Sequence, residues 1–149
     1  MEADHGFHCA TCGLFHSGLP LSYGFGAPIQ WKSEFAAQPG YELGEERCVI
    51  AGRGFFIKGN IALPIIGRND AFVWTVWVSL SERSFERARA LWKDPNRMNE
   101  PPYFGWLSNS LPLYPETLNL KTSVQEEMPG VRPSVELEPT AHPLGSRAT

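Results

Sequence analysis

Cys9, Cys12 and Gly13 stand in the pattern Cys-x-x-Cys-Gly, and here the sequence offers its clearest chemistry. Two thiolates at that spacing on a tight turn can grip one metal ion, and the glycine lets the turn close. A tetrahedral zinc needs two further ligands. His16 is near enough in sequence to swing back, and Cys48 is the remaining cysteine; His142 is the substitute ligand, with His8 behind it. Three sulfurs and one nitrogen close the shell around a structural zinc and leave no position for water. If Cys48 is only core, as free cysteines often are, water takes the fourth position. The metal then lowers that water's pKa toward about 7, and the chain is a metal-dependent, hydrolase-like enzyme. A redox role for the cysteine pair lacks the βαβ surroundings that such pairs have.

A second group is Trp106, Asn109, Tyr114, Thr117 and Lys121, polar side chains beside aromatics in a loop-rich stretch. They suit a ligand pocket or partner surface. Thr117, Asn119 and Lys121 also fit the wet face of a strand whose other face carries Leu118 and Leu120. Glu136 and Glu138 share one strand face and His142 follows, an acid/base set that a solvated edge strand explains equally well. There is no Gly-x-Ser-x-Gly, phosphate loop or dinucleotide fingerprint.

The elements that position these residues must come from a core of moderate size. With 149 residues, 42% hydrophobic and 12% aromatic, the chain suits a single domain over 1–149 with a bulky interior. The 13 basic and 16 acidic residues are interspersed, so no basic patch favours nucleic acid. No apolar run reaches the roughly 18 residues that cross a membrane. Met1-Glu2-Ala3-Asp4-His5 is acidic, unlike a secretory signal, and the cysteine number is odd, so the expected location is the cytoplasm.

Residues 7–19 read as a metal knuckle, 45–138 as a sheet-and-helix core and 139–149 as a loose tail. Cys48-Val49-Ile50 and Phe55-Phe56-Ile57 are strands joined by a glycine turn, the second running on to Leu63 with Gly59 at a bulge or bend. Phe72, Trp74, Val76 and Val78 alternate with Val73, Thr75 and Trp77, and both faces are apolar enough to be covered. Ser79-Leu80-Ser81-Glu82 opens a helix whose apolar stripe is Phe85, Ala88, Leu91 and Trp92, and Pro95 stops it. Strands follow at 103–107, 118–124 and 131–137, the last placed at an edge by Pro133. The expected fold is α+β: an antiparallel meander sheet with one main covering helix and an N-terminal Cys-rich knuckle.

Several stretches in order carry a resemblance. They are Cys9-Ala10-Thr11-Cys12-Gly13-Leu14-Phe15-His16, Phe55-Phe56-Ile57-Lys58-Gly59, Val76-Trp77-Val78-Ser79-Leu80-Ser81, Tyr103-Phe104-Gly105-Trp106-Leu107, Tyr114-Pro115-Glu116-Thr117-Leu118 and Glu136-Leu137-Glu138-Pro139-Thr140-Ala141-His142-Pro143-Leu144. Together they resemble the bacterial family called domain of unknown function 2199, over nearly the whole chain. The resemblance implies a small bacterial cytoplasmic protein of one domain, and it brings no activity. The family often has arginine before the glycine where this chain has Lys58, which alters any bidentate anion contact there. Relatives also often run on after the segment matching His142-Pro143-Leu144. The expected function is a zinc-stabilised binding or interaction domain without catalytic activity, whose partner is another protein. The alternatives are the zinc enzyme above and a small-molecule-binding domain.

Overall fold

Alternation of side chains builds the central hairpin. Strands β6 (Gly54–Pro64) and β7 (Ala71–Leu80) pair antiparallel from Phe55↔Leu80 to Pro64↔Ala71. Trp74, Val76, Val78 and Leu80 point to one side and are buried there with Ile57 and Ile61, while Trp77 is buried on the other side. The computed structural model describes residues 22–64, 71–112 and 114–138, plus the backbone of β1 (Phe7–His8) and β2 (Phe15–His16), which pair antiparallel. The remaining elements are β3 (Ser22–Gly24), β4 (Glu42–Leu43), β5 (Arg47–Ile50), α1 (Glu82–Ala90), β8 (Tyr103–Leu107), β9 (Lys121–Gln125) and β10 (Ser134–Leu137).

Strands β6 to β10 close on themselves. Each of β6–β7, β7–β8, β8–β9 and β9–β10 is antiparallel, and β10 then returns to lie parallel to β6 at Ser134↔Asn60. The result is a five-stranded closed barrel, not the open antiparallel meander expected from sequence. The parallel seam is a matter of parity: with five strands running up and down in turn, the first and the last point the same way. Closure also demands close approach at two glycines. A Cβ on Gly59 would lie 2.6 Å from Val135 Cγ2 and 3.0 Å from the Pro133 carbonyl, where β10 crosses β6. One on Gly105 would meet Val78 Cγ1, and the Ser79 carbonyl at 2.9 Å, where β8 meets β7. Gly59 therefore marks a crossing and stays in register opposite Val76. Pro133 likewise does not make β10 an edge: it precedes the strand, and its carbonyl accepts from the Asn60 N–H at 2.9 Å.

Helix α1 packs as its apolar stripe requires. Ser81 caps it by accepting from the Ser84 N–H at 3.1 Å. Phe85 and Ala88 enter the barrel's core cluster, and the Phe85 ring lies 5.3 Å from that of Phe55 at the start of β6. A second layer covers part of the barrel's outside. Cys48, Ile50, Phe56 and Trp77 form a cluster beneath Phe25, Trp31, Phe35 and Tyr41. A one-turn 3-10 helix at Ser33–Phe35 lies within this covering layer.

A candidate site where two strands share one edge

The long strand β6 changes neighbours along one edge. Strand β5 pairs with residues 54–57, and β10 joins at Asn60. The exchange takes two residues: the Lys58 N–H donates to the Glu46 carbonyl at 3.0 Å, and the Asn60 N–H to Pro133. The two strands thus diverge like the prongs of a fork, and a cavity of about 480 Å³ opens beside it, lined by Glu46, Asn60, Trp92, Arg97, Val131 and Arg132.

A bidentate ion pair spans the prongs. Arg132 Nε and Nη2 donate to both oxygens of Glu46 at 2.8 to 3.1 Å. The Glu46 carboxylate holds the Arg132 guanidinium above its ordinary pKa, the hydrogen bond contributing most. Arg97 forms the floor and is 1% exposed. Its N–H groups donate to the carbonyls of Trp92 (2.9 Å), Glu127 (2.7 Å), Met128 (3.0 Å) and Val131 (2.7 Å). A buried cation stitched to four carbonyls fixes the turn that precedes β10 and the segment that follows α1. The guanidiniums of Arg47 and Arg97 both lie against the Trp92 ring, 5.0 and 5.1 Å from its centroid.

Behind Arg97 the Glu126 carboxylate is also buried, 3.9 Å from Arg97 Nε, and the Tyr103 hydroxyl donates to it at 3.4 Å. Burial raises the Glu126 pKa, opposed by Arg97 and by the tyrosine hydrogen bond. Burial first, and then the Glu126 charge, push Tyr103 up as well. Glu126 and Tyr103 are not among the residues lining the cavity, so they support its floor without meeting its contents. The lining supplies charge, hydrogen-bond donors and an indole, a set suited to holding a ligand.

Those residues singled out in the sequence whose side chains are described fall elsewhere. Cys48 is fully buried beside Ile50, Phe56 and Trp77, and its thiol is pushed up to about 12 by burial, with a smaller contribution from Glu42. No group of three or more metal-ligating side chains occurs among the described residues. Cys9, Cys12 and His142 lie outside the described residues; for His16 and His8 only the backbone is described, opposite Phe7 and Phe15. The loop set is split. Asn109 is buried, accepting from the Trp77 N–H at 2.8 Å and donating to the Ala27 carbonyl at 3.1 Å. Thr117 is buried too, donating to the Asn109 carbonyl (2.8 Å) and accepting from the Leu111 N–H (2.9 Å). Tyr114 packs its ring 6.3 Å from that of Trp74. Trp106 and Lys121 are cross-strand neighbours on the exposed outer wall. Glu136 is exposed on β10, and the Glu138 N–H donates to the Lys121 carbonyl at 3.0 Å. Lys58 sets its ammonium 5.1 Å from the centroid of the Trp77 ring.

Glu46, Arg97 and Arg132 carry no site signal in the sequence, and Trp92 shows there only as part of a helix stripe. Arg97 follows Asp94-Pro95-Asn96, a turn-forming run that gives no sign of burial.

No curated protein and no solved structure matches the chain. The sequence model of DUF2199, described as an uncharacterized protein conserved in bacteria, matches residues 8–148. With nearly its whole length matched, the chain belongs to the DUF2199 family.

Proposed function

We propose that this chain is a binding domain that holds a small molecule in the cavity at the fork between β5 and β10. One observation carries the reading: a cavity of about 480 Å³, walled by an indole and by two arginines already held in place, beside a barrel packed with apolar side chains. Preset polar groups lower the ordering cost of binding. The volume lies in the range of small-ligand pockets. Thermal melting against a panel of metabolites tests it. Ligands that raise the melting temperature of the wild type but not of Trp92→Ala support the reading; equal shifts in both proteins refute it.

The N-terminal segment carries the second part of the reading, a structural zinc held by Cys9, Cys12 and His16. It is favoured by the pairing of β1 with β2, which brackets the two cysteines between paired strands. His142 serves better than Cys48 as fourth ligand, because Cys48 is enclosed by the Phe56–Trp77 cluster. Elemental analysis of the purified protein decides this. About one zinc per chain, lost in Cys9→Ser and His142→Ala but kept in Cys48→Ala, is the expected result; metal-free protein under reducing conditions overturns it.

A further inference from the structure

Around the fork cavity the side-chain acceptors are filled and donors are left over. Both Glu46 oxygens accept from Arg132. Asn60 Oδ1 accepts from the Thr75 hydroxyl at 2.8 Å, and in that orientation Nδ2 is left to donate. Among the described residues Asn60 Nδ2 has no partner. Arg132 uses only the edge formed by Nε and Nη2, so the Nη1 side of its guanidinium is likewise without a partner there. A guanidinium has two edges that can grip a carboxylate or phosphate, and Glu46 holds one while orienting the other. Arg47, beside Trp92, adds a cation with no carboxylate partner among the described residues.

We infer that the ligand of this cavity is a small oxyanion, a carboxylate or phosphate compound, gripped by the free edge of Arg132 and by Asn60 Nδ2. The inference rests on the binding reading above and adds the ligand's chemical class. Glu46 acts as a positioning residue, since both its oxygens are engaged by Arg132 and its carboxylate turns the guanidinium. The remaining contacts are supplied by the indole edge of Trp92 and the side chain of Val131, which suit a compact organic acid or phosphate ester.

The test uses the full chain at constant ionic strength, with succinate and inorganic phosphate as oxyanion probes and succinamide and putrescine as neutral and cationic controls. Melting shifts and the NMR resonance of the Trp92 indole N–H, assigned with Trp92→Phe, are the readouts. Saturable shifts with succinate or phosphate and none with the controls are expected, and the stronger of the two identifies the carboxylate or the phosphate source. Arg132→Lys keeps the charge but loses the planar grip, and affinity should fall about ten- to a hundredfold. Asn60→Asp keeps the oxygen that Thr75 needs while removing the donor, and should weaken binding about tenfold or more. Unchanged affinity in both variants overturns the inference. So do shifts by succinamide or putrescine without shifts by the oxyanions, although the binding reading then survives. Silence from every probe overturns the oxyanion class, and the metabolite panel with Trp92→Ala then judges the binding reading separately.

Discussion

Two stretches of the barrel's outer wall carry large aromatic residues and treat them in opposite ways. On β6 and β7, Phe56 and Trp77 are 2% and 0% exposed, roofed by residues from the 22–44 segment. On β8, Phe104 and Trp106 pack edge to face at 5.0 Å and remain 46% and 39% exposed. The difference is made by polar anchors. The Trp77 indole N–H donates to the Phe25 carbonyl at 2.9 Å, and Asn109 ties the Trp77 backbone to Ala27, so the covering segment is pinned at two points. Around Phe104 and Trp106 the cross-strand neighbours are Ser123, Lys121 and Ser79. Aromatic surface on a barrel wall is thus covered where hydrogen bonds fix a second layer in register, and apolar character alone does not recruit one.

The contrast breaks most sharply at its centre. Trp77→Ala removes the largest side chain of the covered wall and one anchor of its roof, and should cost about 3–5 kcal/mol in urea unfolding. A loss below about 1 kcal/mol would mean that the roof contributes little to stability. Asn109→Ala keeps every ring in place but leaves the Trp77 N–H and the Ala27 carbonyl unpaired, for a loss of about 1–3 kcal/mol. Faster amide exchange across residues 25–35 should accompany it.

Cys48 allows the covered wall to be read by pH. Its folded pKa of about 12 stands above the ordinary value of 9.0, so between those values the unfolded chain gives up a proton that the folded chain keeps. Stability is therefore intact below about pH 9 and declines as pH rises toward 12, by at most about 1.4 kcal/mol per pH unit from this group. Cys48→Ala should flatten that part of the stability profile, and a slope identical to wild type would show that the thiol is not shielded. Phe104→Ser and Trp106→Ser should shift stability least, within about 0.5 kcal/mol, because these rings keep much of their contact with water. A larger loss in either would show that the bare wall is packed in solution.

Periodicity made much of the fold legible. The two-faced alternation of β7, the capped stripe of α1 and the pairing of β9 with β10 all follow from local pattern. Closure did not, because alternation tells which way a side chain points and not whether the first strand meets the last. Gly59 was the available clue, read as a bend when its bare Cα makes room for Val135. The candidate site was hidden for a related reason. Charged residues in turns ordinarily face water, and the burial of Arg97 depends on carbonyls about 30 residues away in sequence, which no local window contains. Asn109 and Thr117 are polar residues near aromatics, the pattern of a ligand pocket, yet the same property lets them staple a loop.

The parallel seam has a consequence for how the barrel forms. Every other wall contact joins strands that follow one another along the chain, so these can form early and independently. The β6–β10 contact encloses all the rest of the barrel in a single loop, the largest closed between neighbouring barrel strands, and only Ser134↔Asn60 is paired across it. Loop closure of that length is rewarded last. The seam should therefore be the final step of folding and the first to open. Because the fork cavity lies beside it, a bound ligand would act on the earliest opening of the native state.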